Sequence, residues 1–244
     1  MKQDWFCNWF NSLYYPILYK DRNTVEAQLF VDNLLQFIKP AANAKVLDIA
    51  CGRGRHSLYL NQKGFDVVGI DLSDRSIEYA KQFENERLSF FIHDMRKPFR
   101  INYFDYALNL FTSFGYFEKE KDDFSAICSF EKALKPGGII VLDYMNTEMI
   151  LRSVMSDEVR KFEGVTFKIT KSIKDDFIIK KIEGDDNGKT FAYEEKVKLI
   201  TLKKFEQYFD ECGFKITHVF GDYSLNEYKK EASDRLILVA KRKK

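Results

Sequence analysis

The spacing of apolar positions changes character three times along this chain. Residues 5–19, WFCNWFNSLYYPILY, hold seven aromatics in fifteen positions, with Trp5, Trp9 and Leu13 on one helical face until Pro16 interrupts it. A second helix spans residues 24–39, where Val31, Leu34, Leu35 and Ile38 keep the 3.6-residue period and Pro40 closes it. Strands and helices then alternate. Residues 45–50 form an apolar strand, 55–63 a helix ended by Gly64, and 65–70 a second strand. Ser73 is the N-cap of a helix reaching about residue 83. Further strands cover 88–93 and 104–110. Phe124, Ile127, Phe130 and Leu134 mark a helix that ends at Lys135-Pro136-Gly137-Gly138, before a strand over 139–144. Strands separated by helices require crossovers and a parallel sheet covered on both faces.

From about 152 to 200 the rhythm changes to period two. KFEGVTFKITKSI, DFIIKKIEG and KTFAYEEKVKLI read as successive strands, with Asn187-Gly188 as a hairpin turn. This is an antiparallel insertion of three or four strands. Thr201 then caps a helix with Phe205, Tyr208, Phe209 and Cys212 on one face and Gly213 at its end. The last strands, 214–220 and 235–241, are joined by a polar loop that suits an antiparallel hairpin. The expected organisation is an N-terminal helical lid over 1–40, a doubly wound α/β core over 41–151 and 201–244, and the β insertion over 152–200.

Composition narrows the partners. The 39 basic and 37 acidic residues nearly cancel, which argues against a dedicated nucleic-acid binder. No run approaches the length of a membrane span, so no membrane partner is expected and the compartment is cytoplasmic. Cys7, Cys51, Cys128 and Cys212 form no CxxC pair and lie in or beside apolar runs; reduced, buried thiols are expected. His56, His93 and His218 are scattered, so no metal site is expected.

Chemistry concentrates at the strand ends. In an open parallel sheet, ligands bind beyond the carboxyl ends of the strands. There the chain reads VLDIACGRGRHSLYL, from Val46 to Leu60. A dinucleotide fingerprint would need G-x-G-x-x-G, but its third glycine position is Ser57 and a carboxylate, Asp48, stands upstream. That acid repels a pyrophosphate and suits a cation, while Ala50, Gly52 and Gly54 let a ligand approach the backbone. Asp71 ends the next strand, where nucleoside-binding sheets keep the acid for a ribose diol. Asp94 ends the third strand, with no basic partner assigned to it, and can accept from an exocyclic amine. Together the three acids describe an adenosine without phosphates.

With these motifs the sequence resembles the class I S-adenosylmethionine-dependent methyltransferases. VLDIACGRG follows the family's first motif with Ala50 in place of its first glycine. VVGIDLS, HDM, FDYALNLFTSFGYF and LKPGGIIVLDY match the later ones. The N-terminal segment and the insertion also resemble a bacterial subgroup acting on small molecules. The resemblance implies a seven-stranded sheet of order 3-2-1-4-5-7-6 with strand seven antiparallel. It implies S-adenosyl-L-methionine as cofactor, with Ala50, Cys51, Gly52 and Gly54 under the methionine moiety and Asp71 on the ribose hydroxyls. Leu72 would cover one adenine face, Asp94 and the Met95 amide would meet the adenine edge, and Leu110 and Phe111 would line the sulfonium region. Asp48 would orient the turn and the amino group. Tyr19 and Arg22 of the lid are cofactor candidates, Arg22 as a fork for the carboxylate.

Tyr15, Tyr116, Tyr144 and Asn146 are candidates for contact with a small-molecule acceptor, and His93 and Asp143 for a catalytic base. For each, the alternative is a structural role: a helix cap for Asp48 or Asp71, a satisfied histidine for His93, core packing for the aromatics. The competing functions are an NAD-dependent oxidoreductase and a non-catalytic adenosyl-binding module. The exposed strands of the insertion leave monomer and homodimer both open.

Overall fold

In a computed structural model, residues 5–20, 24–152 and 157–244 are described. The chain opens with α1 (Trp5–Phe10), α2 (Tyr14–Leu18) and α3 (Thr24–Ile38). The core follows as β1 (Lys45–Ile49), α4 (Arg55–Gln62), β2 (Asp66–Asp71), α5 (Asp74–Lys81), β3 (Leu88–Ile92), β4 (Phe104–Asn109), α6 (Glu120–Ala133) and β5 (Leu134–Met145). After α7 (Thr147–Arg152) come β6 (Glu158–Phe162), β7 (Val165–Lys174), β8 (Phe177–Asp186) and β9 (Lys189–Lys198). α8 (Leu202–Glu211), β10 (Phe214–Phe220) and β11 (Arg235–Arg242) complete the fold.

The main sheet runs β10-β11-β5-β4-β1-β2-β3, with only β11 antiparallel to its neighbours. Counted within the core this is the expected order 3-2-1-4-5-7-6. The central strands bury nearly every residue, because helices cover both faces. One apolar cluster gathers Phe130, Ile140, Phe205 and Phe209 on the α6/α8 side, and a second gathers Phe30, Val31, Leu60 and Ile77 on the α3/α4/α5 side. The insertion is a separate four-stranded antiparallel sheet, β6-β7-β8-β9, turned at Asn187 (φ 53°) and Gly188 (φ 88°). A third cluster joins this sheet to the N-terminal helices: Trp9, Tyr14 and Leu18 pack on Val165, Phe167, Ile169 and Ile182. Among the described residues, no helix is long and apolar enough to cross a membrane.

Two local expectations are corrected. The first aromatic helix breaks at Ser12, whose Oγ accepts from the Tyr15 N–H at 3.1 Å, and Leu13 is left 59% exposed. Pro16 lies in the first turn of α2, where no intrahelical N–H is missed. The cysteines are not all reduced: Cys128 of α6 and Cys212, the C-cap of α8, form a disulfide, with Cys7 and Cys51 remaining as thiols. The helix face carrying Cys212 packs on α6, and this packing brings together two thiols 84 residues apart in sequence. The short α7 was also unforeseen; Asn146 opens it by accepting from the Glu148 N–H at 3.2 Å.

Candidate active site

A cavity of about 430 Å³ opens at the carboxyl ends of β1, β2 and β4. The turn after β1 forms its floor. Ala50 (φ 58°) and Gly52 (φ 55°) are both left-handed there, and no side-chain or backbone atom lies within 4 Å of where a Gly52 Cβ would stand. The space above Gly52 is therefore open to a ligand. Ala50 has the small size the turn demands but carries a Cβ at a backbone angle that glycine adopts more readily. Gly54 serves differently. A Cβ on it would lie 2.7 Å from the Phe90 ring, so the glycine permits helix–strand packing, and it does not line the cavity.

Asp71 braces this turn. Its Oδ2 accepts from the Gly52 N–H and its Oδ1 from the Ser73 N–H, each at 2.8 Å. A carboxylate offers about four acceptor positions, so roughly two remain for a ligand's hydroxyls. Burial raises its pKa, opposed by these amides. Asp48 is more deeply enclosed. Ser57 Oγ donates to its Oδ2 at 2.5 Å, and burial lifts its pKa to about 7, with the neighbouring Asp71 charge adding to the shift. The position a third glycine would take in a dinucleotide site is thus occupied by the hydroxyl that satisfies Asp48. A group poised near neutrality ionises readily beside an arriving cation.

Leu72 and Met95 line the cavity, as do Cys51, Asp94 and His93. Asp94 departs from expectation, because Arg96 grips it with Nε at 3.0 Å and Nη2 at 2.7 Å and also donates its backbone N–H. Desolvation acts to raise the Asp94 pKa, but the guanidinium outweighs it and the net shift is downward. The pairing partner sits two residues away, just beyond the HDM motif. His93 Nε2 lies 2.8 Å from the Lys97 carbonyl oxygen and its ring packs on Phe99, an arrangement that fits a structural histidine.

Aromatic side chains wall the opposite side. Leu110, Phe111 and Tyr116 follow β4, while Tyr15 and Tyr19 come from the N-terminal helices. Tyr15 lies 5.0 Å from Phe10 and 5.1 Å from Tyr19 between ring centroids. The Tyr19 hydroxyl donates to Glu195 of β9 at 2.6 Å and accepts from Lys180 of β8 at 2.6 Å, and Trp9 Nε1 also donates to Glu195. The insertion thereby holds the N-terminal helices against the cavity. Arg22 lies outside the described residues.

Besides Gly54, three candidates are not in the cavity. Tyr144 is fully buried with its hydroxyl donating to the Lys198 carbonyl. Asn146 is buried and its amide donates to the Lys230 and Ser233 carbonyls. Asp143 is buried in an ion pair with Arg235 and accepts from the Phe111 N–H, which removes it as a base. All three follow or end β5, where alternation sends side chains into the sheet's covered faces. Conversely, Phe6, Phe10, Arg53, Arg55, His56 and Phe117 line the cavity and were not anticipated. Phe6 and Phe10 share a helical face at i, i+4, a spacing indistinguishable from core packing. Arg55 and His56 open the helix after the glycine turn, a position that could have flagged them.

A doubly wound sheet, an acid-braced turn after β1 and an open crevice above Gly52 are the features of an α/β ligand-binding fold. Comparison with known proteins extends this. Residues 46–138 match the methyltransferase domain family. The chain is 29% identical to glycine/sarcosine N-methyltransferase of Aphanothece halophytica over 91% of its own length and 83% of that protein. It is 26% identical to dTDP-3-amino-3,4,6-trideoxy-alpha-D-glucopyranose N,N-dimethyltransferase of Streptomyces venezuelae, covering 78% and 83% respectively. An S-adenosylmethionine-dependent methyltransferase from Clostridium acetobutylicum has the same fold, with a TM-score of 0.78 at 19% identity over 95% of this chain and 97% of that one. The chain carries a methyltransferase domain over residues 46–138 and has the fold of S-adenosylmethionine-dependent methyltransferases. Nothing in these comparisons favours an oxidoreductase or a non-catalytic module.

Proposed function

We propose that this methyltransferase acts on a small-molecule acceptor, with an amine nitrogen as the atom methylated. The observation that carries the size limit is the cavity itself. A nucleoside–amino-acid cofactor occupies most of about 430 Å³, leaving space for a compact acceptor beneath the N-terminal helices. The acceptor side is walled by Tyr15, Tyr19, Tyr116 and Phe10, and such aromatic faces favour amines and methylammonium groups. The names of the two relatives, an N-methyltransferase of glycine and sarcosine and an N,N-dimethyltransferase of a dTDP-linked amino sugar, support a nitrogen acceptor.

When bound, S-adenosylmethionine supplies a methyl group on a positively charged sulfur. In this reading Ala50, Cys51 and Gly52 lie under its methionine part, and Asp71 accepts from the ribose hydroxyls. Leu72 and Met95 cover the adenine, Asp94 or the Met95 amide meets the purine edge, and Asp48 faces the ammonium side. Leu110 and Phe111 bound the reacting centre. The N-terminal helices α1 and α2 act as a lid that excludes water and aligns the acceptor, and the insertion fixes them through Glu195 and Lys180. Alignment of this kind can supply on the order of 7–11 kcal/mol. No side chain in the cavity is assigned as a base; a neutral amine brings its own lone pair and sheds its proton to water after transfer.

Calorimetry with S-adenosylhomocysteine, followed by a methylation screen over small amines, tests the proposal. Uptake of the ligand and turnover of at least one amine are expected. Uptake with transfer only to hydroxyl, thiol or carbon acceptors would refute the amine assignment, and no uptake at all would refute the cofactor site.

A further inference from the structure

The turn after β4 is held in an unusual conformation by groups the reaction does not use. Phe111 and Thr112 are consecutive non-glycine residues with left-handed backbones, at φ 57° and 58°. Single residues of this kind are uncommon, and they persist where surrounding contacts over-determine them. Here the contacts converge on one buried carboxylate. Asp143 Oδ2 accepts from the Phe111 N–H at 2.7 Å, and the Asp143 carbonyl accepts from the Thr112 N–H at 3.0 Å. Arg235 Nε donates to Asp143 Oδ1 at 2.8 Å, and its Nη2 reaches Thr112 Oγ1 at 2.9 Å. Tyr223, from the loop between β10 and β11, donates its hydroxyl to the same carboxylate at 3.3 Å. The Asp143 side chain is fully buried and Arg235 is 19% exposed.

The turn delivers one side chain to the cavity. The Phe111 ring lies nearly parallel to His56 at 5.1 Å, under the Arg55 guanidinium at 4.6 Å and beside Tyr223 at 5.0 Å. Phe111, Arg55 and His56 all line the cavity, so the orientation of this ring shapes its wall. A glycine would adopt the turn without assistance; phenylalanine and threonine require it to be enforced.

We propose that Asp143 and Arg235 are positioning residues for the cofactor pocket, their buried pair pinning the left-handed Phe111–Thr112 turn so that Phe111 stands in its binding orientation. The inference rests on the cofactor-site reading above for its consequence in binding, and on backbone geometry alone for the clamp. Tyr223 extends the clamp to the 222–234 loop, whose backbone is tied to α3 by Asn33 Nδ2 donating to the Tyr223 carbonyl at 2.8 Å.

Two readouts separate the claims. Amide hydrogen exchange of unliganded protein reads the clamp: Asp143→Asn is expected to speed exchange at Phe111 and Thr112 roughly tenfold while the β4 amides before them stay protected. Calorimetry with S-adenosylhomocysteine, well below the melting midpoint, reads the consequence. If the competent turn is populated about a tenth of the time, affinity falls about tenfold. Thr112→Gly in the Asp143→Asn background should restore part of that affinity, because glycine enters the left-handed region without strain while Phe111 stays strained; a merely structural role for Asp143 predicts no such rescue. Should Asp143→Asn fail to fold, Tyr223→Phe decides, with affinity lowered about threefold at an unchanged melting midpoint. The proposal is overturned if wild type binds the ligand and both variants bind within experimental error of it, if exchange at 111–112 is unaltered, or if Thr112→Gly rescues nothing. Absence of binding by wild type, with exchange altered as expected, overturns the cofactor reading and leaves the clamp standing.

Discussion

Replacing Asp71 by asparagine tests the centre of the site with the least change in shape. Both carboxylate oxygens accept backbone N–H groups at 2.8 Å, one from Gly52 and one from Ser73. Asparagine retains one oxygen, so its NH2 must face one of those two donors. A hydrogen bond to a charged acceptor contributes about 1.5–3 kcal/mol, and a stranded buried donor costs about 1–3 kcal/mol. Part of this loss falls on the fold and part on the ligand, whose ribose hydroxyls would meet a neutral amide with a single acceptor. Assigning about 3 kcal/mol to binding predicts roughly a hundredfold weaker affinity for S-adenosylhomocysteine. Assigning about 2 kcal/mol to the fold predicts a melting midpoint about 4–8 °C lower for a chain of this size. Calorimetry and differential scanning calorimetry on the same preparations measure both. An Asp71→Asn protein binding within threefold of wild type would show that the carboxylate is only a brace for the turn and sink the ribose assignment.

Other expectations concern charge and covalent state. Asp48 has a folded pKa of about 7, raised by burial, so its contribution to stability is present at low pH and is lost as pH rises from about 4 through 7. The loss is on the order of 4 kcal/mol, and Asp48→Asn, which keeps an acceptor for Ser57, should flatten the fall in melting midpoint between pH 5 and pH 8; equal slopes for both proteins would contradict it. Asp123 is fully buried against Lys198, so Lys198→Met should destabilise by about 3–5 kcal/mol in a urea titration, with Asp123→Asn in that background recovering part of it. A loss below about 1 kcal/mol would mean that the pair is not desolvated. Thiol titration of denatured protein prepared without reductant should find two reactive groups, Cys7 and Cys51, and four after reduction. Reduction should cost up to about 4.5 kcal/mol by loop entropy; four thiols before reduction would rule the disulfide out.

Much of the site was legible because its signals are local. Asp48, Gly52 and Asp71 each stand at the end of an apolar strand, and a strand end in a parallel sheet has a fixed relation to the ligand crevice. Ser73 announced its helix by the same short-range logic, and its Oγ does accept from the Ser76 N–H at 3.1 Å. The errors fall where a side chain's partner is remote. Asp143 resembled a base only because Arg235, 92 residues later, was not yet beside it. Tyr144 and Asn146 are taken up by the end of β9 and the loop before β11. The aromatics of α1 could not be divided between core and cavity, since both uses demand the same spacing: Trp9 is buried against the insertion while Phe10 faces the ligand space.

The order of apolar strands, helices and acids along the chain was sufficient for the sheet, its crossovers and the character of the ligand, because periodicity and turn chemistry act within a few residues. Only the folded chain decided which tyrosines line the cavity, which acids are already neutralised, that two distant thiols meet, and that the insertion grips the N-terminal helices. Those outcomes depend on contacts between segments dozens of residues apart, whose burial and pairing energies no short window of sequence contains.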